Sequence, residues 1–300
     1  MSELIESVLR TNIYIQPFCL FLSILTNVLN IRVLQCRSLR SSSCTYYFLA
    51  YGFFSIAYMC LICPTQFLRA LSINWADGRI TCKISSYILF LLPFQANLML
   101  VFASVDRYCS TTLTYYIHSK AMIRTARFII VFGFILSSIY MFPMMIIYHW
   151  NDTHRKCLPK LNLESKIYVF TQIYLFYILS PILMLVLGLL TIKNIHRQSR
   201  RTIRLLANAR STRRTERQLA RMLLLQITIH LILVLPFGIL YTLNTFIPST
   251  RTSTIIAIRL ACVTWQQSDY FIPFFIYILT GSVYRRELFR LLGIYNKINK

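Results

Sequence analysis

Apolar residues recur along this chain in stretches of about 20 residues or more, separated by short polar segments. A helix of that length rises about 30 Å, which matches the hydrocarbon core of a bilayer. Seven such stretches can be counted. They predict membrane-spanning helices over residues 13–34, 46–68, 84–108, 128–148, 167–192, 219–247 and 255–279. The predicted fold class is therefore an all-α membrane protein, a bundle of seven transmembrane helices.

The segment after the seventh stretch has a different pattern. It places Tyr284, Leu288, Leu291, Leu292 and Tyr295 on one helical face and arginines on the other. This pattern predicts a short amphipathic eighth helix on the membrane surface. The chain then divides into an N-terminal segment (1–12), a seven-helix domain (13–281) and an amphipathic helix with a tail (282–300).

Composition supports membrane insertion, since 56% of the residues are hydrophobic and only 14% are charged. The net charge of +23 could indicate a nucleic-acid partner, but the positive residues lie between the spans and not on one soluble surface. Most of them fall in the connections after the first, third and fifth spans and in the C-terminal tail. The positive-inside rule then predicts an extracellular N-terminus and a cytoplasmic C-terminus in a multi-pass plasma-membrane protein that contacts lipid and binds no nucleic acid.

The nine cysteines show no metal-binding pattern, and most lie inside spans as small buried residues. Cys82 and Cys157 differ, because both fall in predicted outer segments where a disulfide can persist. Asn151 begins an Asn-Asp-Thr triplet on the same side, a candidate glycosylation site.

Two motifs resemble those of class A (rhodopsin-like) G-protein-coupled receptors. The first is the entry to the third helix, with Trp75, Gly78 and Cys82 at the family's spacing. The second is Asp106-Arg107-Tyr108, whose arginine lies 25 residues after that cysteine. This separation matches a tilted helix with one end on each side of a bilayer.

The resemblance covers nearly the whole chain and implies a receptor that activates a heterotrimeric G protein. It implies that Cys82 belongs to an outer disulfide. It also implies that Arg107 pairs with Glu216, twenty residues before Pro236, and releases it when the sixth helix swings outward. Further matches to the family's motifs are Asn27, Pro181, Pro236, Pro273 and Tyr277.

Several positions depart from the family. No acid occurs from Cys44 to Leu68, Val234 replaces the aromatic residue before Pro236, and Pro273 is displaced by one residue relative to Tyr277. Asp269 has two interpretations, which the sequence leaves equally open: a polar network with Asn27 and Asn97, or a structurally paired carboxylate.

The sequence indicates the class of ligand less clearly than it indicates the class of receptor. Leu89 occupies the position of the amine-binding aspartate of biogenic-amine receptors, so an amine ligand is not expected. The outer segments are mildly basic, which favours a neutral or acidic ligand. The overall resemblance is nearest to invertebrate receptors for short amidated peptides, and no cofactor is implied. Candidate pocket residues, besides Leu89, are Gln66, Gln172, Trp265 and Gln266.

Other classes of membrane protein fit the sequence less well. A transporter or channel is the main alternative, but the chain shows no inverted repeat and few charges near the membrane midplane. A membrane enzyme is not expected, because the histidines are scattered and no metal-ligand or catalytic spacing occurs. The histidines are His118, His149, His154, His196 and His230.

Overall fold

The computed structural model of the protein describes residues 3–40, 42–73, 78–112, 119–151, 156–160, 162–201, 207–250 and 252–293. These residues form a bundle of seven membrane-spanning segments. The first four spans use the helices α1 (Glu3–Leu34), α3 (Ser43–Ala70), α4 (Arg79–Thr112) and α5 (Ser119–Met141). Short helices α2 (Arg37–Arg40) and α6 (Met144–Ile147) follow the first and fourth spans, respectively.

The remaining spans are less regular. The fifth comprises α7 (Leu163–Ile173), a π-helical segment (Tyr174–Leu179) and α8 (Ser180–Arg201), and the sixth is α9 (Ala207–Phe246). A 3-10 turn (Pro248–Thr250) leads to the seventh, which comprises α10 (Ser253–Gln267), a second 3-10 turn (Ser268–Tyr270) and α11 (Ile272–Thr280). Helix α12 (Ser282–Leu291) follows as the predicted eighth helix. Helix α4 packs against α3, α5, α8 and α9 and so occupies the centre of the bundle.

Six helical segments within the described residues are long and apolar enough to cross a membrane. The seventh span is equally apolar in α11 but is divided by its internal 3-10 turn. The first helix differs from the predicted segment, because it begins at Glu3, so residues 3–12 continue the span as helix. The division of the chain at residues 12 and 281 stays a prediction.

The distribution of side chains is that of a membrane protein. Helix α1 buries Gln16, Asn27 and Asn30 in the bundle, whereas Phe18 and Phe21 point outward and are more than half exposed. With no water in the bilayer core, polar side chains must find partners inside the bundle. The outer surface of the spans is therefore apolar.

Proline explains the irregularity of the fifth and seventh spans. A proline has no N–H to donate, and its ring clashes with the carbonyl four residues earlier. Pro181 follows the π-helical segment, where the Ser180 hydroxyl donates to the carbonyl of Leu175 at 2.7 Å. Pro273 likewise lies at the start of α11 and leaves the carbonyl of Asp269 free to accept another donor.

An antiparallel hairpin covers one end of the bundle. Its strands are β1 (Tyr148–Asn151) and β2 (Lys156–Pro159), with Trp150 opposite Cys157. A disulfide joins Cys157 to Cys82 near the start of α4, with a Cα–Cα distance of 5.5 Å. This confirms the predicted pairing. We call this side of the molecule the disulfide end and the opposite side, where Arg107 lies, the Arg107 end.

Candidate functional site

Arg107 is buried at its end of α4, with 2% of its surface exposed. Its Nη2 donates to Asp106 Oδ2 at 2.6 Å, and its Nε donates to the same oxygen at 3.1 Å. Ser43, the first residue of α3, donates to Asp106 Oδ1 at 2.6 Å and accepts from Arg107 Nη2 at 3.4 Å. A buried charge is stable only when paired and hydrogen-bonded. Here a carboxylate and a hydroxyl on two spans hold the guanidinium; Tyr108, next in the motif, is partly buried.

The predicted partner Glu216 lies in α9, and its side chain falls outside the described part of the structure. The pairing of Arg107 with Glu216 stays a prediction. Two residues later, Gln218 Oε1 accepts from the backbone N–H of Val283 at 3.0 Å and from the Ser282 hydroxyl at 3.5 Å. The start of the sixth span is thereby tied to the first turn of α12.

Gly281 permits this contact. A Cβ atom at this position would lie 2.6 Å from both Gln218 Nε2 and the carbonyl oxygen of Tyr277. Real Cβ atoms do not approach other atoms so closely. The glycine is therefore required by the close approach of α9 to the junction between α11 and α12.

Two tyrosines extend these links between spans. Tyr277 is fully buried and donates its hydroxyl to Gln226 Oε1 on α9, while its ring lies 5.6 Å from that of Tyr284. Tyr284 in turn donates to Asn30 Oδ1 on α1 at 3.1 Å. Burial raises the pKa of the Tyr284 hydroxyl, so the group stays protonated and able to donate near neutral pH. The Arg107 end of α9, α11 and α12 is therefore joined by specific polar contacts.

Asp269 has a partner that the sequence did not identify. Its Oδ2 lies 2.7 Å from His230 Nδ1 on α9, and each residue is only 3% exposed. The pair sits beside the 3-10 turn of the seventh span. The Tyr51 hydroxyl donates to the freed Asp269 carbonyl at 2.9 Å, and Asn27 Nδ2 donates to the Tyr270 carbonyl at 2.6 Å.

The proposed network of Asp269 with Asn27 and Asn97 is only partly assembled. Asn27 bonds the backbone next to Asp269 and not its carboxylate. Asn97 lies within 3.4 Å of the Phe176 carbonyl in the fifth span. The carboxylate itself is paired with His230. The signal that could have found this partner is a histidine inside an apolar span, six residues before Pro236.

The candidate pocket residues do not all face the same way. Gln66, Gln172 and Gln266 are buried, and Leu89 is partly buried. Trp265 is half exposed, and its Nε1 is 3.4 Å from the carbonyl of outward-facing Ile232. It therefore lies on the outer surface between the sixth and seventh spans.

A chain of aromatic rings lines the bundle toward the disulfide end, and the sequence did not single it out. Ring centroids are 5.8 Å apart for Phe90 and Tyr148, 6.4 Å for Phe90 and Tyr241, 5.8 Å for Tyr241 and Phe237, and 6.4 Å for Phe237 and Tyr177. We call these five residues the aromatic row. It joins β1 to the third, fifth and sixth spans.

Other predicted positions are placed as follows. Trp75 lies outside the described residues, whereas Gly78 accepts through its carbonyl from the Cys82 N–H at the start of α4. Asn151 ends β1, and the rest of its triplet lies outside the described residues. Val234 and Pro181 are buried, and Pro236 is partly buried.

Within the described ranges, no group of three or more His, Cys, Asp and Glu residues could hold a metal ion.

In a comparison with known families, residues 26–268 fit the family described as 7 transmembrane receptor (rhodopsin family). The match covers most of the chain. A comparison with curated proteins finds no match.

Proposed function

The chain belongs to the rhodopsin family of seven-transmembrane receptors, and from that membership we propose that it binds an extracellular peptide and activates a heterotrimeric G protein. The observation that carries the proposal is Arg107, which is buried and held between Asp106 and Ser43. Ionisable residues within spans are rare because a buried charge is costly to place there, and so they mark functional sites.

The proposed orientation places the disulfide end outside the cell and the Arg107 end in the cytoplasm, at the plasma membrane. The excess of Lys and Arg in the segments at the Arg107 end supports it. The disulfide supports it as well, because disulfides persist in oxidising compartments. The ligand would then enter near the β-hairpin, and the G protein would bind between α4, α8 and α9.

The proposed switch uses the contacts at the Arg107 end. In the silent state Asp106, Ser43 and, as a further partner, Glu216 hold Arg107. When α9 moves outward, the links from Gln218 to α12 and from Gln226 to Tyr277 must break or rearrange. A ligand shifts this equilibrium only by binding the open state more tightly than the closed one.

The His230–Asp269 pair is the proposed connection between the ligand region and this switch. It joins α9 to the seventh span where that span changes from α10 through the 3-10 turn to α11. A displacement of α10 by a ligand therefore changes the strain on α9 directly. This route does not need the aromatic residue that Val234 replaces.

A peptide screen tests the proposed ligand class. Cells expressing the receptor are exposed to a library of short peptides, including C-terminally amidated ones, and G-protein activation is recorded. We expect at least one peptide to activate the receptor and to lose its effect on cells expressing Arg107→Ala at equal surface level. Activation by non-peptide ligands alone would contradict the peptide assignment and leave the receptor assignment intact.

Glu216→Gln tests the proposed ionic partner. If Glu216 pairs with Arg107 in the silent state, the variant has higher basal guanine-nucleotide exchange in membranes than the wild type, because the closed state loses one charge interaction. Unchanged basal exchange at equal receptor level would remove Glu216 from the switch and leave Asp106 and Ser43 as its holders.

A further inference from the structure

Tyr46 lies in the first turn of α3, at the Arg107 end, and two arginines from other segments meet at its hydroxyl. Arg127 of α5 donates from Nη2 to this oxygen at 3.1 Å, and Arg40, the last residue of α2, donates from Nε at 3.5 Å. The Arg127 guanidinium also lies over the Tyr46 ring, with its Cζ 4.9 Å from the centroid. We call Arg40 and Arg127 the arginine pair.

The arginine pair brings two like charges close together. Because both contacts end on one oxygen, the two donor nitrogens are no farther apart than their two distances to it combined. Both side chains are exposed, so water weakens their repulsion without removing it. An anion bound by both guanidiniums would turn this repulsion into attraction.

No carboxylate among the described residues supplies that anion. The ion pairs in this part of the chain join Arg10 to Glu6, Arg107 to Asp106, His230 to Asp269 and Arg286 to Glu287. The described carboxylates at the Arg107 end, Asp106 and Glu287, therefore have basic partners other than the arginine pair.

The Tyr46 hydroxyl adds a third donor to the arginine pair. In both contacts its oxygen accepts, and no described group accepts the phenol's own proton. A hydroxyl can donate one hydrogen bond while it accepts others. An anion at this place can therefore receive N–H and O–H donors from α2, α3 and α5 together.

The arginine pair borders a surface that faces lipid. Only 22% of the residues in the apolar stretch of the fourth span are buried, a smaller share than in the other long spans of the described residues. Phe128, next to Arg127, and Phe132 are 68% and 50% exposed, and their rings stack with centroids 5.9 Å apart. Phe53, two helical turns after Tyr46 on α3, is 65% exposed. Apolar chains attached to a bound anion would thus meet outward-facing rings.

We propose that the arginine pair and the Tyr46 hydroxyl bind the phosphate of an anionic membrane lipid, whose acyl chains lie along Phe128 and Phe132. A phosphomonoester headgroup fits best, because its negative charges match two guanidiniums and its oxygens accept from all three donors. Arginines clustered at the membrane surface attract anionic lipid in general. The inference goes beyond the proposed function, since the site lies on α2, α3 and α5, whereas the G protein is proposed to bind between α4, α8 and α9.

The direct test measures lipid binding and needs neither an activating ligand nor a G protein. Purified receptor in detergent is titrated with dioctanoyl phosphatidic acid or dioctanoyl phosphatidylcholine, and the Kd of each is obtained from the concentration dependence of Tm. We expect phosphatidic acid to bind the wild type at least about tenfold more tightly than phosphatidylcholine, because its hydrogen bonds are charge-assisted. The double variant Arg40→Gln with Arg127→Gln loses this preference, and Tyr46→Phe, which keeps the ring, loses part of it.

The matched control is Arg32→Gln with Arg285→Gln, which removes two exposed positive charges at the same end and leaves the contacts of Tyr46 in place. This control keeps the preference for phosphatidic acid. A preference that survives in R40Q/R127Q, or that is lost equally in the control, would overturn the inference. Equal binding of the two lipids by the wild type would overturn it even if R40Q/R127Q did not fold.

Glycerol 3-phosphate distinguishes a lipid from a soluble phosphate, because it carries the same phosphomonoester without acyl chains. We expect it to bind the wild type at least about tenfold more weakly than dioctanoyl phosphatidic acid, since the buried apolar chains add to the affinity of the lipid. Binding as tight as that of the lipid would assign the site to soluble phosphates and overturn the lipid assignment. A phosphoserine peptide that binds more tightly than the lipid would assign it to a partner protein and overturn it as well.

Discussion

The Ser43 hydroxyl bridges the two charged groups of the Asp106–Arg107 pair from a neighbouring span. A hydroxyl can donate to the carboxylate while it accepts from the guanidinium. No pattern in the sequence marks it, since serine at the start of a helix is common as a capping residue. The Asp-Arg-Tyr motif could be predicted from sequence, whereas its hydroxyl partner required the packing of α3 on α4.

Ser43→Ala tests this bridge. Its removal leaves Asp106 Oδ1 without the hydroxyl donor, so we expect Arg107 to leave the closed arrangement more readily and basal nucleotide exchange to rise about threefold to tenfold. Ser42→Ala is the control, because Ser42 is also buried but its hydroxyl has no hydrogen-bond partner among the described residues. Equal effects of the two variants would contradict a specific role of Ser43.

Gly281→Ala tests the close approach at the end of the seventh span. The added methyl group meets backbone and Gln218 at 2.6 Å, so we expect a loss of about 1–3 kcal/mol in stability, measured as a lower Tm in detergent. Gly52→Ala is the comparison, since its nearest contact would be an ordinary 3.4 Å. A Tm for Gly281→Ala within error of that for Gly52→Ala would show that the junction between α11 and α12 accommodates the methyl group with no loss of stability.

At the scale of elements, hydrophobic runs predicted the seven spans well because helix length and bilayer thickness are linked. They did not predict that the seventh span divides at residues 268–270 or that α1 begins at Glu3. The first depends on Pro273, which leaves the Asp269 carbonyl to the Tyr51 hydroxyl, and on Asn27, which donates to the Tyr270 carbonyl. Such contacts between distant parts of the chain leave no local pattern.

The His230–Asp269 contact joins two of these elements and can be measured as a coupling. We expect Asp269→Asn and His230→Phe each to lower Tm, and the double variant to lose less than the sum of the two, with a coupling of about 1–3 kcal/mol. The exchanged variant His230→Asp with Asp269→His restores part of the loss. Additive losses with no recovery on exchange would contradict an energetic link between the sixth and seventh spans.

The whole molecule is held at its disulfide end by a covalent link and at its Arg107 end by polar contacts. The cross-link between Cys82 and Cys157 spans 75 residues, so its removal frees a long segment in the unfolded chain. The sequence identified both cysteines from their outer positions. It did not reveal the hairpin that carries Cys157, since β1 and β2 are only four residues each.

Because Cys82 and Cys157 share one disulfide, removal of either cysteine is expected to lower the stability by the same amount. Cys82→Ser, Cys157→Ser and the double variant each lower stability by about 2–4 kcal/mol, with no further loss in the double variant. Cys60→Ser is the control, because Cys60 is an exposed free thiol in the second span. A double variant much less stable than either single one would show that each cysteine acts separately.

Basal guanine-nucleotide exchange is the most direct test of signalling through the buried arginine. Wild type, Arg107→Ala and Arg32→Ala are reconstituted at equal amounts in lipid membranes with a panel of heterotrimeric G proteins. Arg32 is the control because it is an exposed arginine at the same end. We expect exchange above the receptor-free background for wild type and Arg32→Ala, and a fall of about tenfold toward that background for Arg107→Ala. Exchange by Arg107→Ala equal to that of the wild type, with any G protein that the wild type activates, would contradict signalling through Arg107.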